Sequence, residues 1–151
     1  VDILIVQTLS SGELHIAEED IYLFPNGIPG FEDETKFAVI AMEEGPFSYL
    51  QSLKNAELSF LVSDPFIFFP EYEFELPDED TEELEIRDGI LVRCIVTIKE
   101  QVEQTTMNLL APIVLNSINQ LGRQTVLHNS PYLTKHLLWS DQPTKTNKGG
   151  E

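Results

Sequence analysis

Ile90-Leu-Val-Arg-Cys-Ile-Val-Thr-Ile98 is rich in β-branched residues and free of glycine and proline. That composition suits a strand packed on a pleated surface. With a period of two, Ile90, Val92, Cys94, Val96 and Ile98 share one face. Cys94 is the chain's single cysteine, so no internal disulfide is possible, and its place on that face marks it as a buried, inert core thiol.

Shorter β-prone pieces recur on both sides of this strand. They fall at residues 3–6 and 14–16, around the Ser10-Ser-Gly12 turn, and at 21–24, ended by Pro25-Asn-Gly27. Others lie at 37–41, 49–52, 58–62, 106–110, 113–115 and 124–127. Strands at this spacing with turn residues between them predict an all-β fold, mainly an antiparallel β-barrel-like one. In Asn108-Leu-Leu-Ala-Pro-Ile-Val-Leu-Asn116, Pro112 divides an apolar block into two strand pieces or a bulged bend. A turn of helix fits Glu18-Glu-Asp20. One short acidic surface helix is expected over residues 80–86, capped by Asp78, anchored by Leu84 and Ile86 and ended by Asp88-Gly89. Residues 1–140 read as a single domain and 141–151 as a polar, disordered tail.

The most unusual segment is Asp64-Pro-Phe-Ile-Phe-Phe-Pro-Glu-Tyr-Glu-Phe-Glu-Leu-Pro-Asp-Glu-Asp-Thr-Glu-Glu-Leu-Glu-Ile86. Pro65 and Pro70 bracket an aromatic run, which places it at an exposed edge of the barrel, with Phe66 and Phe68 in the core. Beyond it, Glu71, Glu73 and Glu75 alternate with Tyr72, Phe74 and Leu76. In an extended strand the carboxylates stand on one face, about 7 Å apart, and repel one another. The first base after them in sequence is Arg87. Such a ladder reads as a docking surface for a basic partner. Its candidate contact residues are Phe69, Glu71, Tyr72, Glu73, Glu75, Asp78, Glu79, Glu82 and Glu83, with one of Phe69 and Tyr72 facing solvent as an apolar anchor.

The formal charge of −17 on 151 residues argues against direct nucleic-acid binding, which needs clustered lysine and arginine. It favours a basic protein partner approached under electrostatic steering. His15, His128 and His136 lack metal-ligand spacing. No phosphate-cradling glycine loop or nucleophile elbow is present. No cofactor, metal or catalytic residue is therefore assigned, and the chain is not read as an enzyme. It shows neither a leader peptide nor an apolar run of membrane-spanning length, and is expected to be cytoplasmic. It begins at Val1, where an initiator methionine is expected to have been lost, replaced or left out.

Taken in order, Phe24-Pro-Asn-Gly-Ile-Pro-Gly-Phe-Glu32, Leu50-Gln-Ser52, Asp64-Pro-Phe-Ile-Phe-Phe-Pro-Glu-Tyr-Glu-Phe-Glu-Leu76 and the 108–116 block resemble the flagellar assembly factor FliW family. Gln124-Thr-Val-Leu127 and Ser130-Pro-Tyr132 are similar to its C-terminal end. The resemblance implies a compact antiparallel β-barrel-like fold without enzymatic activity. It also implies two protein partners, flagellin and the RNA-binding translational regulator CsrA. FliW would sequester CsrA and relieve its repression of flagellin messenger RNA, until accumulating flagellin occupies FliW. On that footing the acidic ribbon would face CsrA. An apolar groove near Phe69, Tyr72 and the loop 28–31 would take flagellin's helical terminal region. Two rival readings stand beside it: a general acidic secretion chaperone or adaptor for another client, and an enzyme or small-molecule binder using the barrel interior.

Overall fold

The computed structural model describes residues 3–8, 12–85 and 90–139, with residues 3–8, 12 and 13 described by their backbone. Strands β1 (Ile3–Thr8) and β2 (Gly12–Ala17) form a separate antiparallel pair. The remaining strands are β3 (Ile21–Leu23), β4 (Lys36–Ala41), β5 (Phe47–Ser52), β6 (Ser59–Ser63), β7 (Ile90–Thr97), β8 (Thr106–Met107), β9 (Ile113–Asn116), β10 (Leu121–Gln124) and β11 (His136–Leu137). Two short helices, α1 (Pro65–Phe68) and α2 (Asp78–Glu83), lie between β6 and β7.

Strands β3, β4, β5, β6, β7, β9 and β10 close into a seven-stranded barrel. Its neighbours pair antiparallel except at one seam, where β10 meets β3 in parallel through Leu121 and Leu23. Gln120 holds that seam. Its carbonyl accepts from Leu23 N at 2.8 Å, and its side-chain amide donates to Glu18 O and Ile21 O at 2.6 and 2.7 Å. Closure leaves those seven strands without an open edge, the feature that would otherwise invite aggregation.

The barrel is filled by Phe24, Phe37, Leu50, Val62, Ile113 and Leu115. Phe24 meets Phe37 edge to face at 5.2 Å, the geometry that aromatic quadrupoles favour. A second core lies outside β7, where Cys94, Val96, Met107, Leu109 and Leu138 are covered by Tyr72 and half-buried Phe68, Phe69, Phe74 and Tyr132. β8 and β11 extend the sheet over it. A third, small cluster seats Ile16 of β2 against Ala38 of β4.

The all-β, mainly antiparallel expectation holds, and so does the turn at Glu18–Asp20, a 3-10 turn. Several local expectations do not. The Phe66-Ile-Phe-Phe69 run is mostly helix, because Asp64 Oδ1 accepts from Phe66 N at 2.8 Å and Pro65 pre-sets the first turn. Phe66 accordingly faces out, at 42 % exposure, instead of entering the core. Residues 71–76 keep their in–out alternation but join no sheet.

α2 begins at Asp78 itself, with Pro77 as its N-cap and no side-chain cap. The expected stop at Ile86, Asp88 and Gly89, the turn at Ser10 and Ser11, and the tail 141–151 lie outside the described residues. β8 stops at Met107 because Asn108 Oδ1 accepts from Leu110 N and Ala111 N, turning the chain away. β10 ends at Gln124, where 124–127 had read as a strand. Ile90 and Ile98 are exposed at the ends of the β7 segment, while Cys94 and Val96 are buried. β11 gave no strand signal in the sequence.

Gly122 sits in β10 opposite Leu115 of β9. A β-carbon there would lie 2.6 Å from Phe24 Cζ and 3.0 Å from Leu115 Cδ2. We expect Gly122→Ala to destabilise the barrel by about 1–3 kcal/mol through overpacking, read as a lower urea midpoint with an unchanged slope.

Candidate functional site

The acidic segment is built on the outer wall of β7, β9 and β10, and its apolar half is what fixes it there. Tyr72 is buried, and its hydroxyl donates to Leu109 O at 2.7 Å. Its ring lies 4.7 Å from Tyr132, 5.4 Å from Phe74 and 5.8 Å from Phe66. Burial raises the Tyr72 hydroxyl's pKa and pushes the adjoining Cys94 thiol up to about 12, so both stay neutral at cellular pH. Phe74 and Leu76 are half-buried. Glu71, Glu73 and Glu75 are exposed between these anchors.

α2 carries the next acids, and the structure divides them. Asp80 is 4 % exposed. Its Oδ1 lies 2.7 Å from Arg123 Nε, in an orientation too bent for a hydrogen bond, and its Oδ2 accepts from Thr125 Oγ1 at 2.9 Å. Glu83 pairs with Arg123 Nη1 and accepts from Asn26 Nδ2 at 2.8 Å. The end of the helix is also held, since Asn116 Nδ2 and Asn119 Nδ2 donate to Leu84 O at 2.9 and 3.3 Å. Asp78, Glu79 and Glu82 remain exposed.

The nine sequence-selected residues therefore separate. Glu71, Glu73, Glu75, Asp78, Glu79 and Glu82 present carboxylates to solvent. Glu83 is half-buried and committed to Arg123 and Asn26. Tyr72 is a core residue and cannot serve as an exposed anchor. Phe69 is half-buried, with its ring 6.0 Å from His136. In the loop proposed to line an apolar groove, Ile28 is buried at 2 % and Phe31 is exposed at 42 %. Gly27 and Gly30 there have φ of +67° and +92°, the left-handed backbone expected of them.

Sequence reading missed Arg123, Thr125, Asn26 and Tyr132. Asn26, Thr125 and Tyr132 fall within segments that carry the family resemblance but had no role assigned to them, and Arg123 falls in none. Arg123 is a lone base forty positions from Glu83, and only the closure of the barrel brings it beside α2. Tyr132 accepts from Glu73 N at 3.2 Å and stands between two clefts. One, of about 320 Å³, runs between Glu73, Phe74, Glu75 and the stretch from Leu127 to Pro131. The other, of about 380 Å³, lies among Phe68, Phe69, Glu71 and His136. Among the described residues no group of three or more His, Cys, Asp or Glu is placed to hold a metal. No described helix is long and apolar enough to cross a membrane.

Comparison with known proteins bears on most of the chain. The sequence model of the FliW protein family matches residues 5–138. The flagellar assembly factor FliW of Bacillus pumilus (strain SAFR-032) is 49 % identical over 138 residues, covering 89 % of this chain and 96 % of that protein. The flagellar assembly factor FliW of Bacillus subtilis (strain 168) is 47 % identical over 137 residues, covering 88 % and 95 %. A crystal structure of the flagellar assembly factor FliW superposes with a TM-score of 0.87 at 38 % identity, covering 93 % of this chain and all of that one.

Two outcomes follow from the geometry. Arg123→Met strands the buried Asp80 carboxylate and is expected to cost about 3 kcal/mol in a denaturant titration; adding Asp80→Asn should recover part of that loss. His136 Nε2 accepts from Leu133 N at 2.7 Å, and burial lowers its pKa. Below about pH 6.5 the unfolded imidazole binds a proton that the folded one resists, so stability falls as pH drops through the folded value. The difference in unfolding free energy between the wild type and His136→Gln should shrink from pH 7.5 to pH 5.5.

Proposed function

The chain belongs to the FliW family of flagellar assembly factors, and from that premise we propose that it works in the cytoplasm as a partner-switching antagonist, holding CsrA until flagellin takes its place. The observation that carries this reading is the set of exposed carboxylates on a firmly anchored scaffold. Glu71, Glu73, Glu75, Asp78, Glu79 and Glu82 face solvent, while Tyr72 and Phe74 between the first three are fixed in the second core.

An RNA-binding regulator presents a basic surface. A polyanion docked beside that surface opposes phosphate within a Debye length of about 8 Å, without covering every contact. The antagonism is then partly electrostatic, through charge placed next to the RNA site, and not steric alone. Flagellin would need an apolar contact for a helical segment. The residues that fit are the exposed Phe66 and Ile67 of α1, together with exposed Trp139, whose ring lies 6.3 Å from Phe68 of the same helix. Buried Tyr72 and Ile28 no longer qualify. The two surfaces adjoin through residues 69–71, so occupation of one obstructs the other.

Calorimetric titration with CsrA, repeated at two salt concentrations and with flagellin pre-bound, is the test. We expect salt-sensitive binding that flagellin abolishes. The triple substitution Glu71→Gln, Glu73→Gln, Glu75→Gln should weaken CsrA binding about tenfold and flatten its salt dependence. Ile67→Asp should weaken flagellin binding and spare CsrA. Unchanged CsrA affinity and RNA displacement in the triple variant would overturn the electrostatic mechanism. Absence of CsrA binding with flagellin binding intact would leave a chaperone with a different basic client.

A further inference from the structure

Residues 72–76 follow the turn at Glu71 and belong to no helix or strand. Burial alternates strictly from Glu71 onward, with Glu71, Glu73 and Glu75 exposed and Tyr72, Phe74 and Leu76 buried or half-buried. That period of two belongs to an extended chain. Yet among the described residues the backbone N–H and C=O groups of Phe74, Glu75 and Leu76 make no hydrogen bond. Backbone polar groups on a folded surface are mostly paired, and an unpaired extended run is a template for another strand.

The direction of the template follows from one contact. Glu73 N donates to the Tyr132 hydroxyl, and Tyr132 lines the cleft beside Glu73 and Glu75. Peptide groups two residues apart in an extended chain point the same way. The Glu75 N–H and C=O are thus aimed into the same cleft, which has Leu127 and Pro131 on its far wall and a volume of about 320 Å³.

We propose that this cleft takes an extended peptide segment of a basic protein, which pairs with Glu75 as an added strand. The partner's character comes from charge. Directly opposite residues of paired strands carry their side chains on one face, so the residue facing Glu75 would be lysine or arginine, flanked two positions away by further basic residues. The residues between them would be apolar and lie over Phe74 and Leu127. The occupant is a strand with alternating basic and apolar residues, held by main-chain bonds for affinity and by carboxylates for selectivity. The inference rests on the functional reading above for the partner's basic character, and on the backbone geometry for the mode of binding.

The probe is the peptide acetyl-Lys-Val-Arg-Val-Lys-amide, titrated into the full chain at low salt. The arginine N–H points at Glu75 in the paired strand, and the valine N–H groups point away. N-methylation at arginine should therefore weaken binding at least tenfold, while N-methylation at one valine should leave it nearly unchanged. Amide hydrogen exchange should slow at Glu75 when peptide is present and stay constant at Phe74 and Leu76. If the unmodified peptide does not bind, if both methylated forms bind alike, or if Glu75 exchange is unaltered, the strand-pairing inference fails. A parallel CsrA titration separates the two ideas. CsrA binding with unaltered Glu75 exchange retires strand pairing alone, and absent CsrA binding with intact peptide pairing retires the functional reading alone.

Discussion

The guanidinium of Arg123 is the constraint on which the acidic face depends. Six acids fall within eight residues from Asp78 to Glu85, and a helix so charged has little apolar surface of its own with which to dock. Arg123 solves this from β10 by meeting Asp80 and Glu83 together. Thr125 completes the coordination of Asp80, and Asn26 that of Glu83. With two of its acids neutralised inward, α2 can lie flat on the barrel and turn the others outward. The arrangement needs the closed barrel, because Asn26 follows β3 and Arg123 lies on β10, and these two strands meet at the seam that Gln120 holds. Packing comes first here, and charge display is built on it.

The same logic separates two roles that a linear reading merges. From Glu71 to Glu85 the carboxylates look like one ribbon. In three dimensions they are two populations, one spent on internal attachment and one left for solvent. The exposed glutamates of residues 71–75 gain their rigidity from Tyr72 and Phe74, which alternate with them and pack in the second core. A flexible acidic tail would carry the same charge but would lose entropy on every encounter. Here that loss has already been met in folding, and the field has a fixed shape.

Much of this was legible in sequence, for local reasons. The strands announced themselves because β-branched alternation and turn residues act over a few positions, and the alternation of residues 71–76 fixed which side chains face out. What failed were readings that depend on a competing local bond or a distant partner. Asp64 with Pro65 converted an aromatic run into α1, and Asn108 ended β8 early, each through one side-chain-to-backbone turn. Arg123 was invisible because an isolated base has no pattern until the barrel places it. Tyr72 was misassigned because an amphipathic ring suits an interface and a core equally well, and only the bond to Leu109 O decides between them.

Cys94 gives this fold one more property. Its side chain is fully covered by the Tyr72 lid, and its thiol stays protonated at any cellular pH. Oxidants and electrophiles react with thiolates that they can reach, and here they meet neither condition. The core beneath the acidic face is thereby insulated from the redox state of its surroundings. The same sulfur becomes reactive only when the lid lifts, so its rate of alkylation is a built-in clock for opening of the second core.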